Sequence, residues 1–260
     1  MKIIHTADWH VGHELYGYDR EEEFDYFFSQ LSELMAEEQP DALLVSGDVY
    51  DSYMPSTTAV RQLNNALLRL HDSSPQTEII LTSGNHDSGP RLEAAAPPWL
   101  PHGVHLIGSL SPDPLRNRIE IEGKGVVMAI PFCYPANFPH ADGDPLDGRQ
   151  ERYFRRVSEQ LRRESLPTVL MAHLYVSGAA LNGSRQPRDI VGAVMRWLWV
   201  TSRADTTTWR WGIFTGGRGC PPVLTTPVRH CRFPLTNRRS MVCCWWSWRR
   251  GKSQGSTSDR

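Results

Sequence analysis

Ala42-Leu43-Leu44-Val45-Ser46-Gly47-Asp48 is the stretch on which the reading of this 260-residue chain turns. Four consecutive apolar residues bounded by a polar turn read as a strand buried on both faces. The strand delivers a carboxylate just past its end. The same grammar occurs twice more. Ile3-Ile4 precedes Asp8-Trp9-His10, and Ile79-Ile80-Leu81 precedes Gly84-Asn85-His86-Asp87. Helical patterns lie between them. Phe24, Phe27, Phe28, Leu31, Leu34 and Met35 fall at helical spacing, with Glu21, Glu22 and Glu23 in a first turn where the macrodipole favours anions, and Pro40 closes the run. Val60, Leu63, Leu67 and Leu70 mark a second helix, with Ser56 or Thr57 as its cap. Strands alternating with helices predict βαβ units and a largely parallel sheet, whose ligands gather outside the carboxyl ends of the strands.

Asp, His, Asp, Asn and His brought to one sheet edge predict a metal site. Mixed carboxylate and imidazole donors suit Mn, Fe or Zn better than Ca. Asp8 and His10 are two apart, so an extended strand end would point both the same way. Gly47 admits a close backbone approach beside Asp48, whose two oxygens can bridge two cations. Asn85 and His173 offer a neutral oxygen and an imidazole for a second cation. Two cations about 3.5–4 Å apart clamp a phosphoryl group and acidify a bridging water. His86 follows a proposed ligand and is placed to stabilise charge or protonate a leaving oxygen. Asp51 and Asp87 are candidates for orienting the ligands, though solvated turn residues would look the same. His5 reads as a core or supporting residue, and His13, His71, His102, His105 and His140 as surface.

From about residue 104 the pattern changes. Leu106-Ile107, Ile119 to Ile121 and Val126 to Ile130 are short β runs, the last two joined by a Gly123-Lys124-Gly125 hairpin turn, and a second sheet is expected. Pro135 to Gly148 reads as a surface loop. Phe154, Val157 and Leu161 mark a third helix, and Thr168 to Ala172 a buried strand ending on His173.

Net charge is −1, but its distribution is uneven. Residues 1–196 carry 17 Lys/Arg against 27 Asp/Glu, and residues 197–260 carry 11 against 2. That last segment also holds seven of the nine tryptophans and four of the five cysteines, with neither strand nor helix periodicity. Its cysteines lack paired spacing, which argues against zinc. The segment reads either as a basic aromatic nucleic-acid arm or as the product of a shifted reading frame, an aberrant tail that is not a folded domain. Neither a secretory leader nor a membrane-spanning run is visible, so a cytoplasmic protein is expected.

The ordered set Asp-x-His, Gly-Asp, Gly-Asn-His-Asp and strand-end His resembles the calcineurin-like metallophosphoesterases. Met1-Lys2-Ile3-Ile4-His5-Thr6-Ala7-Asp8-Trp9-His10-Val11-Gly12, Ser46-Gly47-Asp48-Val49-Tyr50-Asp51 and Ser83-Gly84-Asn85-His86-Asp87-Ser88 are similar, more narrowly, to the bacterial SbcD nuclease family, over about residues 1–196. The resemblance implies a four-layered α/β/β/α sandwich. It implies two Mn ions and 3′–5′ double-strand exonuclease and single-strand endonuclease activity on DNA, in recombination, replication and repair. It also implies work with an SbcC-type ATPase. By family position, Asp8 and His10 would bind the first metal, Asp48 would bridge, Asn85 and His173 would bind the second, and His86 would be catalytic. The family's later Gly-His-x-His motif has no counterpart here. The only histidine after His173 is His230. Residues 1–196 are therefore expected to form the nuclease domain, incomplete at its C-terminal end, with each metal short of a ligand and activity impaired. A general metallophosphatase, or a non-catalytic nucleic-acid-binding protein on a degenerate phosphoesterase domain, are the other readings.

Overall fold

A computed structural model describes residues 1–140, 145 and 147–176, together with four later strands at 193–201, 212–213, 229–233 and 241–247. Two sheets form the middle of the molecule. The first begins with β1 (Lys2–Thr6), β2 (Ala42–Ser46), β3 (Glu78–Thr82) and β4 (Val104–Ile107), all parallel and in that order across the sheet. The second holds β5 (Arg118–Ile121), β6 (Gly125–Ile130) and β7 (Thr168–Val176). The β5–β6 pair is antiparallel, with Ile121 opposite Gly125 and Gly123 at φ +66°, which is the expected hairpin. The β6–β7 pair is parallel.

Strand alternation builds the layers. Leu43 and Val45 face one way and join Ile4, Ile79 and Leu81 under two helices, α1 (Glu21–Glu38) and α2 (Thr57–Ser73). Ala42 and Leu44 face the other way and meet Val127, Ala129, Val169 and Met171 of the second sheet. The far face of that sheet presents Met128, Ile130, Ala172 and Leu174 to Tyr153, Val157 and Leu161 of a helix at Arg149–Arg163. Three separate apolar interfaces thus give the four layers α/β/β/α. Fully burying each Leu, Ile, Val or Phe in them contributes about 1.5–3 kcal/mol.

The helix ends follow the sequence. Ser56 Oγ accepts the Ala59 N–H at 3.1 Å and caps α2, settling the choice between Ser56 and Thr57. Its buried face is Ala59, Leu63, Ala66, Leu67 and Leu70, while Val60 is exposed. α1 ends on Gln39 in the left-handed region, whose N–H returns to Met35 O, and Pro40 follows.

Two boundaries differ from the expectation. Leu106-Ile107 belongs to the first sheet, beside β3, and not to the second. The connection from β3 holds a short helix, α3 (Gly89–Ala94), and a 3-10 turn at Leu100–His102. That is enough chain for the crossover a parallel neighbour requires. β7 also runs on past Ala172, so His173 lies within the strand. The helix at Arg149–Arg163 is therefore α4, with Phe154 only partly buried.

Later strands extend both sheets. β8 (Ala193–Thr201) lies antiparallel to β7, and β9 (Gly212–Ile213) to β8. β10 (Arg229–Phe233) pairs with β11 (Met241–Ser247), which lies antiparallel to β1. The remainder of 197–260 lies outside the described residues. Among the described residues no helix is long and apolar enough to cross a membrane.

Candidate metal centre

Three loops leave the carboxyl ends of β1, β2 and β3 side by side. Backbone hydrogen bonds lace the first two together: Asp8 N–H to Gly47 O at 3.1 Å, His10 N–H to Asp48 O at 2.9 Å, and Val11 N–H to Val49 O at 2.9 Å. The third loop is tied in by Asp87. Its Oδ2 accepts the Val49 and Gly84 N–H groups at 2.9 and 2.7 Å, and its Oδ1 accepts the Tyr50 N–H at 2.7 Å. Burial pushes the Asp87 carboxyl up to about 6, the three N–H donors pull against that, and the Asp48 charge adds to the rise. Asp87 thus holds two loops in register with three backbone bonds, and it is no solvated turn residue.

The backbone in this lacing is unusual. Asp8, His10 and Asp48 have φ of 54°, 50° and 49°, and Gly47 has 75°. A left-handed conformation costs an L-residue about 1–2 kcal/mol, and such strain gathers at functional sites. Asp8 and His10 therefore leave β1 in left-handed turns, not in the extended alternation expected of them, and their side chains enter different donor groups instead of one shared metal.

Asp48 lies at the centre and is buried. Its Oδ1 accepts the His86 N–H at 3.0 Å. Its Oδ2 is 3.8 Å from His10 Nε2 and 3.6 Å from His173 Nε2. Two donor groups share this carboxylate, each with atoms within 4.8 Å of one another: His10, Asp48 and His86 in one, and Asp8, Asp48 and His173 in the other. Asp8 is thus grouped with His173, and His10 with His86.

His173 carries the test of whether these residues fit a cation. Its Nδ1 is 3.1 Å from Ser46 O, so it donates there and carries the proton. Nε2 then presents a lone pair to Asn85 Oδ1 at 2.9 Å and to Asp48 Oδ2 at 3.6 Å. Lone pairs converging from imidazole, amide and carboxylate form a cation's donor set, and the ring that supplies one of them is fully buried. The ring fits because of Gly47, where a Cβ would lie 2.2 Å from His173 Nδ1.

The remaining candidates fall around this centre. Asp51 Oδ1 is 3.2 Å from His10 Nδ1, and Asp51 O accepts from His86 Nδ1 at 3.0 Å, so one residue stands against both rings and orients that of His86. His86 is exposed and stands edge-on to His10, ring centroids 4.8 Å apart. His5 is in the core, bonded to Ser46 Oγ at 2.9 Å. His13, expected at the surface without a role, sits 3.3 Å from Asp51 Oδ1. Its i+3 spacing from His10 was the available signal. His105, also expected without a partner, pairs with Glu78 at 2.7 Å. Gly84 was missed as a site residue although its α-carbon lies against Asp48.

The calcineurin-like phosphoesterase family model matches residues 1–192. The D subunit of the nuclease SbcCD from Rhodobacter capsulatus is 36% identical over 212 residues, covering 74% of this chain and 52% of that protein. The same subunit from Bacillus subtilis is 30% identical over 205 residues, covering 74% and 51%. The chain spans about half the length of these curated relatives.

Proposed function

Because this chain belongs to the calcineurin-like phosphoesterases, we propose that it is a metal-dependent nuclease that hydrolyses phosphodiester bonds of DNA with two divalent cations, Mn²⁺ foremost. The observation that carries this reading is the position of Asp48 Oδ2 between His10 Nε2 and His173 Nε2. One carboxylate common to two donor groups is the arrangement a two-cation centre requires. In this reading Asp8, His10, Asp48, Asn85 and His173 hold the cations, with Asp48 shared.

Bound there, divalent cations would supply Lewis-acid polarisation of the phosphoryl group and a water acidic enough to act at neutral pH. The chain's own residues do the rest. His173 is held by Ser46 O so that Nε2 is its ligating atom. His86 donates its Nδ1–H to Asp51 O, which leaves Nε2 toward the substrate, and from there the doubly protonated ring would give its second proton to the leaving oxygen. Asp51 and Asp87 hold the loops and rings in place.

The relatives' names support a nuclease, and the motif resemblance supplies the finer reading. It comprises 3′–5′ exonuclease action on duplex ends, endonuclease action on single strands, and an SbcC-type ATPase as partner. In this reading residues 1–196 are the nuclease domain and 197–260 an aberrant tail, of which β9 and β11 nonetheless pair onto the two sheets. The sequence has no Gly-His-x-His after His173, so in this reading each cation is short of a ligand and activity is impaired. The test is digestion of end-labelled duplex and single-stranded DNA by the full chain with and without Mn²⁺, beside Asp48→Ala and a small aryl phosphate monoester. Digestion that needs both Mn²⁺ and Asp48 is the expected result. A preference for the small monoester would point to a general phosphatase. Salt-sensitive DNA binding without cleavage would point to a non-catalytic binding protein.

A further inference from the structure

Two segments meet at Asp51, beside the centre's histidines, and both present large side chains to water. In the first, Leu15 and Tyr18 exchange backbone hydrogen bonds of 3.0 Å each across a two-residue turn formed by Tyr16 and Gly17. Their φ values are 54° and 79°, the pattern of a type I′ turn. Tyr16 is 92% exposed and Tyr18 76%. In the second segment Tyr53 and Met54, two and three residues past Asp51, are 62% and 70% exposed. The two segments are joined at their roots by the Val11–Tyr50 bridge, by Asp51 N–H to Val11 O at 3.3 Å, and by His13 on Asp51.

Tyr16 is costly where it stands. A type I′ turn favours Asn or Gly at its first central position, and a bulky side chain at positive φ is a true outlier. Full exposure of the ring recovers nothing by burial. Such strain points to a use for the ring at the surface. Charge narrows what that use is. Residues 7–20, 47–56 and 83–88 hold one Lys or Arg between them, Arg20, and it is buried against Glu23. A duplex followed along its phosphates needs Lys or Arg, and these loops offer none at their surface. Tyrosine rings grip a strand by a different route. Bases stack on them at about 1–3 kcal/mol each with little dependence on sequence, a grip that adds to whatever the phosphates supply.

We propose that Tyr16, Tyr18 and Tyr53 form a stacking platform for unpaired nucleobases beside the scissile phosphate, so that this centre takes single-stranded ends by their bases. The inference rests on the nuclease reading above. It specifies what the strand must bring to the site, namely free base faces.

The test compares two labelled strands of about 12 nucleotides, within the span that single-strand sites cover. One is ordinary single-stranded DNA. The other is its abasic counterpart with the same phosphates. Binding to the full chain is followed by fluorescence anisotropy, with Ca²⁺ replacing Mn²⁺ to prevent cleavage. The native protein should favour the base-bearing strand by about tenfold or more, which corresponds to one or two stacked bases. Tyr16→Ala with Tyr18→Ala should bring the ratio close to one, and Tyr16→Phe with Tyr18→Phe should retain it. Added salt should weaken both strands alike and leave the ratio unchanged. Equal affinity of the native protein for the two strands, or a ratio that survives the alanines, overturns the platform alone. Binding of neither strand overturns the nuclease reading, and the platform with it.

Discussion

A methyl group on the α-carbon of Gly84 would lie 2.1 Å from both the backbone nitrogen and Oδ1 of Asp48. No real Cβ approaches so closely, and the atoms in the way are the backbone and carboxylate of the central residue. Gly84→Ala must therefore displace Asp48, the third loop, or both. A misplacement of about 1 Å near reacting atoms costs on the order of 100-fold in rate, and overpacking costs about 1–3 kcal/mol in stability. The expected outcome is loss of Mn²⁺-dependent cleavage by about 100-fold, with weaker Mn²⁺ binding by calorimetry. Native Mn²⁺ affinity in this variant would show that Gly84 does not position Asp48.

Asp87 makes three backbone bonds with two oxygens, and two of those bonds fall on Oδ2. Asn cannot reproduce this. Whichever way the amide turns, its NH₂ faces at least one buried N–H. An unsatisfied buried donor costs about 1–3 kcal/mol. Asp87→Asn should lower stability in urea by about 2 kcal/mol without a change in the slope of the transition. A change below about 0.5 kcal/mol, the ordinary scale of surface substitutions, would refute the three-bond clamp.

Bound cation should appear as stability. A ligand at about 100 times its dissociation constant adds about 2.7 kcal/mol to the native state. For a domain of this size that raises the melting temperature by roughly 5–10 °C. Asp48→Asn keeps the Oδ1 acceptor for His86 N–H but removes the shared charge. It should melt no lower than the native protein in EDTA and lose most of the Mn²⁺-induced rise. A full rise in Asp48→Asn would separate metal binding from Asp48.

How much of this was legible beforehand depends on whether the cause was local. The runs Ala42 to Val45 and Ile79 to Leu81 are apolar at every position because both faces are covered, so their strands and strand ends could be read directly. The donors at those ends, Asp48 and Asn85, followed. Leu106-Ile107 could not be allotted to a sheet because its apolar character is the same in either, and only the chain length of the β3–β4 connection decides it. Val60 marks its helix correctly but lies off the buried stripe, which runs through Ala59, Leu63 and Leu67. The left-handed turns at Asp8, His10 and Asp48 leave no mark in composition, since Asp and His adopt them without glycine. Gly84 was opaque for another reason: its meaning lies in contact with Asp48, more than 30 residues away along the chain. His13 left only its i+3 spacing from His10 as a sign, since its partner Asp51 is equally distant.

His86 and His10 are neighbours around Asp48, yet they are assigned different work, and one pair of variants separates the roles. His10 Nε2 is 3.8 Å from Asp48 Oδ2, while its Nδ1 is 3.2 Å from Asp51 Oδ1. His86 Nδ1 is braced by Asp51 O, and its exposed ring faces solvent, where a substrate would enter. His10→Gln should therefore weaken Mn²⁺ binding and cleavage together, by at least about tenfold, the lower end of what losing even a supporting contact costs a metal site. His86→Gln should leave the Mn²⁺-induced melting shift close to native and slow cleavage by roughly 10²–10⁴-fold, the worth of a positioned proton donor. The loss should shrink on a phosphodiester with a strongly acidic leaving group, because such an oxygen departs without a proton. Weakening of Mn²⁺ binding by His86→Gln to the same degree as by His10→Gln would make His86 a ligand of the His10–Asp48–His86 group and leave the leaving oxygen without its donor.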